Sequence, residues 1–168
     1  MTIIGIDPGA GGAMAVWNKR ISKIYKCPAD TETMADIVKE SLYINKTKSI
    51  GEVFAYMELV HAMPHDGRSS LFKFGTNYGK WLGILGAFKV PTTLVSPQKW
   101  MKYWKDKLDI KLSKDKSSRK RELKEIASHY TDKKITLYNA DAILITMYGL
   151  FTQREGERNV NRRDKGKV

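Results

Sequence analysis

A single cysteine, Cys27, in 168 residues cannot close an intramolecular disulfide. The fold must be held by an apolar core, as in proteins of a reducing compartment. Histidine is nearly as scarce: His61, His65 and His129 are the three in the sequence, and neither they nor the cysteine have zinc-site spacing. No apolar run approaches the ~20 residues that cross a bilayer. The N-terminus shows no signal or transit pattern, so a cytoplasmic protein without a membrane partner is expected. A Gly-x-x-x-x-Gly-Lys-Ser/Thr phosphate loop and a Gly-x-Ser-x-Gly nucleophile elbow are both missing. Acidic residues are few, with 18 Asp and Glu against 30 Lys and Arg for a net charge of +12. That imbalance points to a polyanionic partner, because clustered cations gain affinity by displacing phosphate counterions.

The 42% hydrophobic content is enough for a core, and the length suits one domain. Thr2 to Asp7 reads as a buried strand built on Ile3, Ile4 and Ile6 and closed by Pro8 and Gly9. Ala13 to Trp17 and Ile21 to Cys27 extend it into a meander. A helix from Asp30 or Thr31 to about Asn45, a strand from Val53 to Val60 and a loop to Ser70 follow. Leu71 to Phe88 has helical spacing despite Gly75, Gly79, Gly83 and Gly86, each costing ~1 kcal/mol relative to Ala. Such a cost implies close approach of another backbone, in helix–sheet or dimer packing, or of DNA. Thr92 to Val95 is a strand, and Ser96-Pro97 caps a helix to about Leu108. Lys111 to Lys120 reads as a basic loop before a helix from about Arg119 to His129. Asn139 starts a last helix to about Phe151. The expected division is a domain over residues 1–151 and a basic, disordered tail over 152–168.

Positive charge is concentrated late in the chain. Residues 99–134 hold 13 basic and 6 acidic residues, against 11 and 8 in residues 1–98. Within this block Lys99, Lys102, Lys111, Arg119 and Lys120 are candidate phosphate contacts. The interleaved Trp100, Tyr103 and Trp104 either stack on bases or face the core; spacing alone leaves both readings open.

Two acids sit where desolvation is costly, and a third opens a helix. Asp7 ends the isoleucine-rich first strand, Glu58 ends the apolar Val53-Phe54-Ala55-Tyr56-Met57 run, and Asp141 lies in the first turn of the last helix. A meander followed by βα crossovers brings two strand ends and one helix start to the same sheet edge. A hard cation such as Mg²⁺ would neutralise such a cluster, and two ions roughly 4 Å apart can assist in-line phosphodiester hydrolysis. A metal-dependent nuclease is therefore expected.

Gly5-Ile6-Asp7-Pro8-Gly9, Tyr56-Met57-Glu58 with Ala62-Met63-Pro64, and Asn139-Ala140-Asp141-Ala142 together resemble the acidic motifs of RuvC-like Holliday junction resolvases. His65-Asp66-Gly67 through Gly79-Lys80-Trp81-Leu82-Gly83 is similar to the phage and plant organellar branch. The resemblance spans roughly Met1 to Leu150. It implies an α/β, RNase H-like fold: a mixed five-stranded sheet flanked by helices. It also implies a crossover junction endodeoxyribonuclease, acting as a homodimer that nicks four-way DNA junctions symmetrically with two Mg²⁺ or Mn²⁺ ions. Asp7, Glu58 and Asp141 would be the metal ligands, with Asp7 on both ions. Where the family has a fourth Asp or His, this sequence has Tyr138. A lysine that positions the scissile phosphate would be Lys114 or Lys116, with Arg119 or Lys120 as alternatives after an alignment shift. Met63, His65 and Arg68 would probe the junction centre, and Lys80 would join the DNA contacts. The expected setting is bacterial cytoplasm or a phage-infected cell. Other readings are a nuclease on other branched or flap DNA and a non-catalytic junction-binding protein. Actin-like sugar kinases also open with a strand and an Asp-x-Gly turn, but need a second domain that 168 residues do not provide.

Overall fold

The alternation of side chains along a central strand sorts the core into two layers. In the computed structural model, which describes residues 1–43, 53–59 and 67–165, β1 (Thr2–Ile6) is fully buried. It pairs antiparallel with β2 (Ala13–Asn18) and parallel with β4 (Val53–Glu58). β3 (Arg20–Lys26) lies outside β2, and β5 (Thr92–Val95) runs parallel outside β4. The resulting order is β3-β2-β1-β4-β5. This is the expected mixed five-stranded sheet: the meander supplies the antiparallel half and the βα crossovers the parallel half.

On one face, Ile4, Ile6, Met14, Met57 and Trp81 pack with α1 (Thr31–Tyr43) and α2 (Arg68–Ala87). On the other, Ile3, Ala15 and Tyr56 pack with α3 (Pro97–Leu108), α4 (Lys116–Ser128) and α5 (Ala140–Lys165). α5 crosses β1, β2 and β4. It comes so close that a Cβ on Gly5 would strike the Thr146 backbone and hydroxyl, and one on Gly149 the Tyr56 ring. Buried Thr146 is accommodated because its hydroxyl reaches Ala142 O at 2.7 Å and Ala15 O at 3.2 Å.

Several expectations are corrected. The last helix runs on to Lys165 instead of ending near Phe151. Thr152 reaches the Tyr56 hydroxyl at 3.4 Å, and Arg154 lies 5.3 Å from the Trp17 ring centroid, so tertiary contacts continue past that point. α4 starts at Lys116, three residues early, because the Asp115 carboxylate accepts from Ser118 N–H at 2.7 Å as its N-cap. The choice left open for the tryptophans is decided: Trp100 and Trp104 are buried, so they face the core and offer no stacking surface. Of the readings of the α2 glycines, helix–sheet packing is excluded: a Cβ on Gly75, Gly79, Gly83 or Gly86 would meet nothing within 4 Å. α3 is capped as expected, with Ser96 Oγ accepting from Lys99 N–H at 3.3 Å. Among the described residues, no helix is long and apolar enough to cross a membrane.

Candidate active site

Strand parity brings the acids together. Residues 3, 5 and 7 of β1 and its end, and 54, 56 and 58 of β4, point to the α5 face. Ile6 pairs with Met57, so Asp7 and Glu58 follow side by side at two parallel strand ends. Asp141, in the first turn of α5, lies above them; the helix dipole favours its charge there. Asp7 is fixed by its own turn. Its N–H bonds Ala13 O at 3.0 Å, its Oδ1 accepts from Gly9 N–H at 3.1 Å, and a Cβ on Gly12 would collide with it. Asn77 on α2 donates to Pro8 O in the same turn. Glu58 accepts a 3.0 Å hydrogen bond from the indole Nε1 of Trp100.

All three carboxyls are pushed up, chiefly by burial. The Asp7 charge adds to this for both neighbours: Glu58 rises to about 7 and Asp141 to about 6. The Trp100 hydrogen bond opposes the shift of Glu58. One cation acts on all three acids, the Lys120 ammonium on α4, and Arg119 acts on Asp141 as well.

The remaining sequence candidates are scattered. Lys114 and Lys116 are exposed around the start of α4, and neither charge is among those acting on the acids. Arg119 also donates to the carbonyls of Ser113 and Lys114, at 3.1 and 2.9 Å. Lys102 pairs with Asp106 at 2.6 Å, and Lys80 bonds Ala29 O at 3.0 Å. Lys99 and Lys111 are exposed. Met63, His65 and the Arg68 side chain lie outside the described residues. Tyr138, at the position of the fourth acid, is 64% exposed. Asn139 does not replace it: its side chain is spent on Thr136 N–H at 2.8 Å and Lys134 O at 3.2 Å.

Sequence reading missed Trp100 as a partner of Glu58. The four-residue interval from Ser96 to Trp100 puts it one turn into α3, beside the end of β5, but which strand it faces is a tertiary matter. As a donor set, three carboxylates that stay pushed up despite Lys120 fit a hard divalent cation. Among the described residues, no three His, Cys, Asp or Glu side chains form a group that would hold a single ion as they stand.

No protein-family model and no curated protein matches the chain. Solved structures do. The chain is similar to the Thermus thermophilus RuvC structure, with a TM-score of 0.61 and 19% identity over 93% of this chain and 97% of that one. It is similar also to T. thermophilus RuvC in complex with Holliday junction substrate, with a TM-score of 0.60 and 19% identity over 93% and 96%. The fold is thus the RNase H-like fold of RuvC, the fold that the sequence motifs implied.

Proposed function

We propose that this protein is a divalent-metal-dependent endonuclease that resolves four-way DNA junctions by paired symmetric nicks. The observation that carries this reading is the meeting of Asp7, Glu58 and Asp141 at one sheet edge, with the Lys120 charge acting on all three. Asp7, with Glu58 on one side and Asp141 on the other, is suited to hold Mg²⁺ or Mn²⁺; when bound, such ions activate water and stabilise the departing 3′ oxygen of a phosphodiester. Trp100 holds Glu58 in place. Lys120 is suited to receive the scissile phosphate, in preference to Lys114 or Lys116. The solved complex of a protein of this fold with a Holliday junction supports the choice of substrate.

A homodimer is part of the proposal, since paired nicks need two sites. The outward stripe of Gly75, Gly79, Gly83 and Gly86 on α2, with Phe72 77% exposed beside it, supports α2 as the contact between copies. Pure protein with labelled mobile four-way junctions and Mg²⁺ should give nicks at symmetric positions on opposing strands. Faster cutting of three-way or flap DNA would replace junction resolution with a broader branched-DNA activity. Binding without any cleavage over a Mg²⁺ and Mn²⁺ series would make the protein a junction binder.

A further inference from the structure

Beside the acidic cluster lies a cleft of about 840 Å³, walled by the β1–β2 turn, β3 and the segment leading into α5. Its wall adjoins the site. Gly12 lines it and touches Asp7, and Asn139, two residues before Asp141, lines it as well. Its charge comes from Lys26, Lys133 and Lys134, all exposed. Lys23 also borders the cleft, but its ammonium is taken by Glu40 at 2.7 Å. No acidic residue lines the cleft, and among the described residues no carboxylate pairs with the other three lysines.

Tyr138 completes the wall. Its ring packs along the backbone of Gly11, where an added Cβ would lie 3.4 Å from it, and its other side is open to solvent. The turn beneath is fixed: Thr136 Oγ1 accepts from the N–H groups of Tyr138 and Asn139, both at 3.3 Å. An exposed aromatic ring on a fixed turn beside unopposed cations is the chemistry of single-strand binding, with phosphates on the lysines and a base on the ring. The volume suits a short stretch of one strand; a duplex, whose major groove alone is ~12 Å wide, does not fit inside.

We propose that this cleft binds one strand of the DNA substrate next to the cleaved phosphate, with Lys26, Lys133 and Lys134 on its phosphates and Tyr138 stacked on an unpaired base. The inference rests on the reading of the protein as a DNA junction nuclease.

The test is binding of the full chain, without metal, to a labelled four-way junction over a salt series. K133A/K134A should flatten the dependence of log affinity on log salt by about 1.4, at ~0.7 per lost single-strand phosphate contact, while K39A/K124A, exposed on α1 and α4, keeps the wild-type slope. With 2-aminopurine placed in turn at positions flanking the branch point, Tyr138→Ala should lose the quenching that Tyr138→Phe retains. An unchanged slope in K133A/K134A, or equal quenching in Tyr138→Ala and wild type, overturns the proposal. Wild-type protein that binds no junction at all overturns the functional reading itself, an outcome distinct from the first two.

Discussion

The two faces of the sheet use the same strands and opposite packing strategies. Under α1 and α2 the contact is between large side chains, Ile4, Ile6, Met57 and Trp81, and the glycines of α2 look outward. Under α5 the backbones themselves close up at Gly5 and Gly149, and every acid of the candidate site lies on this side. Close approach of α5 brings the helix start down onto the strand ends, so tight packing and the site have one cause. The other face holds none of the site's acids, and its α2 glycines open onto free space, where the proposed dimer would place a second copy.

The largest effect that separates the faces is expected from Asp7→Asn. Cleavage should fall by more than ~100-fold, a loss at least as large as for metal-site supporting groups, with junction binding and melting temperature kept. Joint loss of binding and folding in this variant would make Asp7 a structural residue.

The next contrast lies within α4. Lys120→Ala should reduce cleavage by about tenfold or more, the worth of a charge-assisted contact of ~1.5–3 kcal/mol, whereas Lys114→Ala and Lys116→Ala change it little. Single-turnover rates on one junction decide the order, and an equal loss in all three would reduce Lys120 to general electrostatics.

Glycine substitutions then set one face against the other. Gly5→Ala has backbone in its way and should cost about 3 kcal/mol in denaturant melts, the upper end for overpacking. Gly83→Ala has open space and should stabilise the dilute monomer by up to ~1 kcal/mol. The same change should weaken the proposed dimer in sedimentation equilibrium. A dimer unaffected by Gly83→Ala would move the contact away from α2.

The last contrast is pH-dependent stability. Glu58 rises from 4.5 to about 7 and Asp141 from 3.8 to about 6, so the folded state binds more protons than the unfolded one between those limits. Stability from these groups is complete below pH 4 and is lost as pH rises to about 7. The metal-free protein should therefore melt lower at pH 8 than at pH 5, and Mg²⁺ should restore the difference. Trp100→Phe keeps an aromatic ring but removes the hydrogen bond that holds Glu58 down, so its melting temperature should keep falling at pH values where the wild type has levelled off. Melting curves that are flat from pH 5 to 8 in both proteins would mean that the acids are better solvated than their burial implies.

Much of this was legible before folding. The isoleucine run around Gly5, the apolar strand before Glu58 and the capped start of α3 specify elements through local chemistry, and acids at apolar strand ends stand out because burial there is costly. Trp100 was legible as an aromatic but not as the partner of Glu58. Lys120 was one cation among many. Past Phe151, α5 meets Tyr56 and Trp17, nearly a hundred or more residues away in sequence.

By itself the sequence determined which residues alternate, which ends carry charge and that a polyanion suits the late basic block, because periodicity, capping and net charge are properties of neighbouring residues. Only the tertiary structure decided that, among the described residues, Lys120 acts on all three acids, that the tryptophans face inward and the α2 glycines outward, and that Tyr138 borders an unopposed basic cleft. Those are relations between segments far apart in the chain, fixed by how closely α5 can approach the sheet.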